Sequence, residues 1–136
     1  MPAAAAIHTL IVDDQLSMRA LIRNSMQQLG FREFREAADG EAGLRAMITN
    51  PAHLVISDFN MPKLDGLGLL RAVRAHPPTQ GAAFIMLTGR ADRELVERAV
   101  QPEQDLKMVV AVTAVGRAVL AQREGAVGIP LACCVV

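Results

Sequence analysis

The chain has 136 residues, fourteen Lys+Arg against fourteen Asp+Glu, three His, two Cys, and neither Trp nor Tyr. That length suits one domain with a single core, and a hydrophobic fraction of 51% excludes a disordered chain. A formal net charge of zero leaves no sequence-wide excess to hold nucleic acid or an anionic membrane, and no apolar run approaches the ~18 residues of a membrane span.

Met1 to Ala6 carries no basic region and is followed by a charged pair at Asp13-Asp14, so a cytoplasmic protein without a signal peptide is expected. Short apolar or β-branched runs then alternate with segments of helical spacing, the pattern of βα units around a parallel sheet. The first strand is expected over Ile7 to Val12. A helix follows from Leu16 to Leu29, with Met18, Leu21, Ile22, Ser25, Met26 and Leu29 on one face and Gly30 as its stop. A second strand falls near Phe34 to Ala37, and Asp39-Gly40 turns into a helix over Gly40 to Ile48 that closes at Asn50-Pro51.

The third strand reads His53 to Ser57, the loop Asp58 to Gly66 contains Pro62, and a helix over Leu67 to His76 stops at Pro77-Pro78. Ala82 to Leu87 reads as a fourth buried strand, and Ala91 to Val100 as a fourth helix ending before Pro102. Leu106 to Val112 is a candidate fifth strand, and a last helix is expected from a cap at Thr113 to Glu124. The twelve residues from Gly125 to Val136 hold no charge, so that segment is buried, paired with a partner, or prone to self-association. Cys133 and Cys134 are adjacent, with no CxxC or His/Cys metal spacing anywhere. His8, His53 and His76 share no spacing.

In an open parallel sheet, chemistry gathers beyond the carboxyl ends of the strands. Strand one ends in Asp13-Asp14, strand three in Ser57-Asp58-Phe59-Asn60, and strand four in Thr88-Gly89. Three carboxylates brought to ~4 Å at an effective dielectric near 20 repel by roughly 4 kcal/mol per pair. A cation relieves this, and an all-oxygen set that keeps several waters suits Mg²⁺ better than Zn²⁺. One carboxylate is then a candidate nucleophile toward a phosphoryl group, with the Thr88 hydroxyl placed to hold phosphoryl oxygens.

The stretches Leu10 to Asp14 with Ser17-Met18-Arg19, Leu29-Gly30-Phe31, Ala38-Asp39-Gly40, Val55 to Pro62 with Leu64-Asp65-Gly66, and Met86 to Gly89 resemble the receiver domains of two-component response regulators, CheY-like in type. The resemblance covers residues 7 to 100 of a single domain spanning 1 to 136, while 101 to 136 diverge. It implies an α/β fold, a doubly wound parallel five-strand sheet of the flavodoxin-like kind. It further implies phosphorylation of Asp58 by a histidine kinase and Mg²⁺ held by Asp13, Asp14, Asp58 and the main-chain carbonyl of Asn60. Thr88 would sense the phosphoryl group, and Asn60 and Arg90 would border the pocket and tune hydrolysis. The output would be a protein partner, with a flagellar motor among the candidates, and no nucleic acid, membrane or enzymatic activity is expected.

The resemblance fails at one place. Such receivers carry a lysine at the carboxyl end of strand five and an aromatic residue shortly before it, whereas here Val110 stands near the expected position and no aromatic follows Phe84. The chain has two lysines, Lys63 and Lys107, and Lys107 at the start of an expected strand would lie roughly 20 Å from its active end. Natural divergence, a shifted reading frame in the last quarter, and an exchanged segment with association through the C-terminal region all remain open. A degenerate receiver acting by oligomerisation or as a phosphate sink is the alternative within the fold. A phosphatase with an aspartate nucleophile would want a second Asp where Asn60 stands, and a flavin-binding protein would want a phosphate loop where Asp13-Asp14-Gln15 stands.

Overall fold

The structure, a computed structural model, describes residues 4–88, 108–114, 117–123 and 133–135. A short 3-10 turn at Ala4–Ala6 leads into β1 (His8–Val12), followed by α1 (Leu16–Gln28), β2 (Glu33–Ala37), α2 (Gly40–Thr49), β3 (Leu54–Asp58), α3 (Gly66–Ala75) and β4 (Ala83–Thr88). Each boundary within this stretch lies within a residue of the expected one, and at three helix ends the local cause is visible.

Gly30 has φ +96 and closes α1 with Gly30 N–H donating to Gln27 O and Phe31 N–H to Met26 O, the two bonds of a Schellman cap. Asp39 caps α2 by accepting from Ala42 N–H at 2.8 Å, and Asp65 caps α3 by accepting from Gly68 N–H at 2.7 Å. At the far end of α3, the buried Thr79 hydroxyl donates to the carbonyl of Val73 at 2.8 Å, satisfying a helix-end acceptor.

Parallel pairing joins β2 to β1, β1 to β3 and β3 to β4. The chain enters one strand in from the edge, steps outward for β2 and then crosses back past β1 for β3, so the order reverses between β1 and β3. That reversal opens a crevice beyond the carboxyl ends of these two strands. On one face, Leu10, Val12, Val55, Phe84 and Met86 pack with Met47 of α2 and with Leu67, Leu69, Leu70 and Val73 of α3. Burying such side chains contributes ~1.5–3 kcal/mol each. Across the sheet, α1 holds no buried residue: Met18, Ile22 and Met26 of its expected inner face are half-buried, while Leu21 and Leu29 stay 59% and 61% exposed.

Beyond β4 the sheet continues with β5 (Met108–Ala114), parallel to β4, then β6 (Arg117–Arg123) and β7 (Cys133–Val135), each antiparallel to its predecessor. This corrects the last helix: Thr113 lies inside β5 rather than capping a helix, and residues 117–123 form a strand. The Ala, Leu, Gln and Arg content of that segment favours helix by only tenths of a kcal/mol per residue, which pairing along a full neighbouring strand outweighs. The expected helix over Ala91 to Val100, Lys107 and most of the uncharged tail lie outside the described residues. Among the described residues no helix is long and apolar enough to cross a membrane.

Candidate functional site

The crevice at the reversal point is where three acidic side chains meet. Each of Asp13, Asp14 and Asp58 offers a carboxylate oxygen within 4.8 Å of the others, and among the described residues this is the single such group of His, Cys, Asp and Glu. Their surroundings differ: Asp13 is 3% exposed, Asp58 is half-buried and Asp14 faces solvent.

Asp13 is fixed from several directions. Its N–H donates to Ala37 O at 3.1 Å, extending the β1–β2 pairing by one residue. Its Oδ1 accepts from Gln15 N–H at 2.8 Å, and its main-chain carbonyl accepts from Arg19 Nη1 at 2.7 Å. Asp58, at the last position of β3, is held by the loop that continues from it. Phe59 N–H donates to Leu87 O at 3.0 Å, and Gly66 N–H donates to Phe59 O at 2.9 Å, folding the loop back onto the strand end. A Cβ at Gly66 would run into Asp58 O and the Met86 sulfur, so only glycine lets α3 start this close.

This packing sets the electrostatics. Burial, reinforced by the charge of Asp13, pushes the Asp58 carboxyl up to about 6, although hydrogen bonds from the backbone of Phe59 and Asn60 act against the rise. Burial also raises Asp13, with Asp14 adding to it. The site thus holds concentrated negative charge that a hard divalent cation would neutralise, and its all-oxygen donor set fits Mg²⁺.

Residues 9–110, most of the chain, match the response regulator receiver domain family. The chain belongs to that family. It is 54% identical over 101 residues to a probable chemotaxis protein CheY of Rhizobium etli, an alignment covering 74% of this chain and 78% of the relative. It is 38% identical over 92 residues to the chemotaxis protein CheY of Pseudomonas aeruginosa, covering 68% and 74%. Among solved structures, the BeF3-activated response regulator Chey2-Mg2+ of Sinorhizobium meliloti superposes with a TM-score of 0.65 at 50% identity, covering 85% of this chain and 88% of that one. This is a CheY-like response regulator receiver domain with the flavodoxin-like α/β architecture, and its relatives are signalling proteins of two-component systems.

Within this receiver, the fold brings Asp13, Asp14 and Asp58 together and sets Asn60 two residues past Asp58 in the loop. Thr88 is the last residue of β4, where its Cα pairs in register with Val112 of β5. Arg90 lies outside the described residues. The sequence gives no role to Gln15 and Arg19, which bond to Asp13, or to Glu36, which holds Arg19. Their signal was faint: an arginine six positions after a strand-end aspartate and a glutamate one position before the end of β2 are ordinary residues on charged surfaces.

Lys63 lies in the loop after Asp58, with φ 69 and its Nζ 3.7 Å from Asp39 Oδ2. The β5 segment from Met108 to Ala114 contains no lysine.

Proposed function

We propose that Asp58 is the phosphoryl acceptor of this receiver and that the group comes from the phosphohistidine of a histidine kinase. An Asp58 carboxylate oxygen attacks phosphorus as the phosphorus–nitrogen bond of the donor breaks; the electron pair returns to the imidazole, and an aspartyl phosphate forms. Burial and the charge of Asp13 raise the Asp58 carboxyl in the metal-free site, and a bound cation would favour its ionised, attacking form.

Mg²⁺ held by Asp13, Asp14, Asp58 and the Asn60 carbonyl would supply charge neutralisation for the transferring group. The chain's own residues do the rest: Asp13 is presented in a fixed pose and the loop after Asp58 is pinned to β4, while Thr88, the last residue of β4, would supply a hydroxyl to a phosphoryl oxygen. The phosphorylated form then signals to a protein partner, and the chemotaxis relatives favour a partner in motility control.

The observation that carries this reading is the close approach of three carboxylates with Asp58 among them. Its test is labelling by a small phosphodonor with Mg²⁺: the wild-type protein is expected to incorporate one phosphoryl group and Asp58→Asn none. Wild-type levels of labelling in the variant would place the acceptor elsewhere. The absence of lysine from β5 favours a second reading, a receiver that accepts phosphoryl groups without strong output. It would show as normal labelling with no change in partner binding.

A further inference from the structure

Arg19 lies outside the carboxylate cluster yet bonds directly to one of its members. Its Nη1 donates to the Asp13 carbonyl at 2.7 Å while its Nε donates to Glu36 Oε1 at 3.2 Å, and Arg23, one helical turn on, reaches Glu36 Oε2 at 3.3 Å. The Arg19 side chain is 14% exposed although its partner Glu36 lies at the surface, and its shortest bond goes to a neutral main-chain oxygen rather than to a carboxylate.

A guanidinium this close to concentrated negative charge has a strong electrostatic reason to enter the cluster itself. Glu36 offers the competing anion. It sits on β2 in register with Ile11, two residues before Asp13, and its two oxygens hold two arginines of α1 against the edge of the sheet. The planar fork of Arg19 spans the gap between Glu36 and the Asp13 carbonyl, which a point-charge ammonium cannot do in the same geometry.

We propose that Arg19 is a positioning residue for the divalent-cation site, and that Glu36 keeps its guanidinium on the Asp13 carbonyl and off the carboxylates. This rests on the reading of Asp13, Asp14 and Asp58 as the cation site. The arrangement has two effects: the Asp13 carboxylate arrives pre-set, and no internal cation competes with the metal.

The test is Mg²⁺ titration followed by amide chemical shifts, with the carbonyl-carbon shift of Asp13 measured before metal is added. Arg19→Lys keeps the charge and loses the fork, so the dissociation constant is expected to rise about tenfold, the usual lower bound for losing an outer partner of a metal ligand. Glu36→Gln leaves Arg19 intact and is expected to weaken binding similarly, and the double variant no further than the weaker single one. In both single variants the Asp13 carbonyl shift should move without metal. Arg23→Gln loosens the same helix from the same glutamate and should stay within about twofold of wild type. Unchanged affinity in Arg19→Lys and Glu36→Gln, or equal losses in Arg23→Gln, overturns the proposal. A wild-type protein that binds no Mg²⁺ overturns the cation site as well, so the two failures are distinguishable.

Discussion

The Cα of Gly66 faces the carbonyl oxygen of Asp58 so closely that no Cβ fits between them, and the Met86 sulfur closes the remaining side. The first residue of α3 and the last residue of β3 are therefore in direct backbone contact. Gly66→Ala is expected to destabilise the protein by about 1–3 kcal/mol through overpacking that backbone cannot relieve. Gly81→Ala, where nothing lies within 4 Å of the added carbon, should be close to neutral. Urea unfolding of both variants checks the contrast.

A second expectation concerns pH. Asp58, raised to about 6 from 3.8, binds its proton more tightly in the folded protein than in the unfolded chain. Stability of the metal-free protein therefore falls as pH rises through that window, and the raised Asp13 acts in the same direction. Asp58→Asn should then be more stable than wild type by about 1–3 kcal/mol at pH 7 and nearly equal to it at pH 3.5. Thermal melts at the two pH values in a chelator measure the difference. Adding Mg²⁺ should raise the wild-type midpoint more than that of the variant.

Thr79 provides a prediction remote from the site. Its buried hydroxyl serves the carbonyls of Val73 and His76 at 2.8 and 3.1 Å. Thr79→Val keeps the shape but leaves the end of α3 without that donor, at an expected cost of about 1–3 kcal/mol. Chemical denaturation reads this, and labelling of Asp58 should be unaffected.

The remaining expectation concerns output. In the register of β4 and β5, Met86 faces Val110 and Thr88 faces Val112, so no lysine ammonium stands beside the proposed phosphoryl site on that strand. One lost charge-assisted hydrogen bond is roughly 1.5–3 kcal/mol, comparable to the gap between two switch conformers. Beryllium fluoride with Mg²⁺ should therefore perturb amides at 13–15 and 58–60 strongly and those from 90 to 112 weakly. Comparable shifts in both regions would show that another cation reaches the site.

What the sequence disclosed tracks the range of the forces involved. The turn at Asp39-Gly40, the stop at Gly30 and the strand-end aspartates are local features, and they were legible from a few residues each, whereas the side-chain caps made by Asp39 and Asp65 were not read. The half-exposed face of α1 was not: spacing marks which residues share a face, but only tertiary packing decides how much of it is covered, and Leu21 and Leu29 remain open. Arg117 to Arg123 was misread because its helix propensity was weighed without a neighbouring strand edge. The Arg19–Glu36 connection spans 17 residues and has no motif of its own.

The ion pair of Lys63 with Asp39 links the loop after Asp58 to the first turn of α2, and the lysine is 59% exposed. An attraction at that depth is damped by dissolved electrolyte, whose screening length shrinks from about 30 Å at 0.01 M to about 3 Å at 1 M. Ionic strength thus becomes a dial on this loop. Dilute buffer favours the contact of Lys63 with the cap of α2, and concentrated salt weakens it, so the tie between this loop and that helix is set in part by the solution around it.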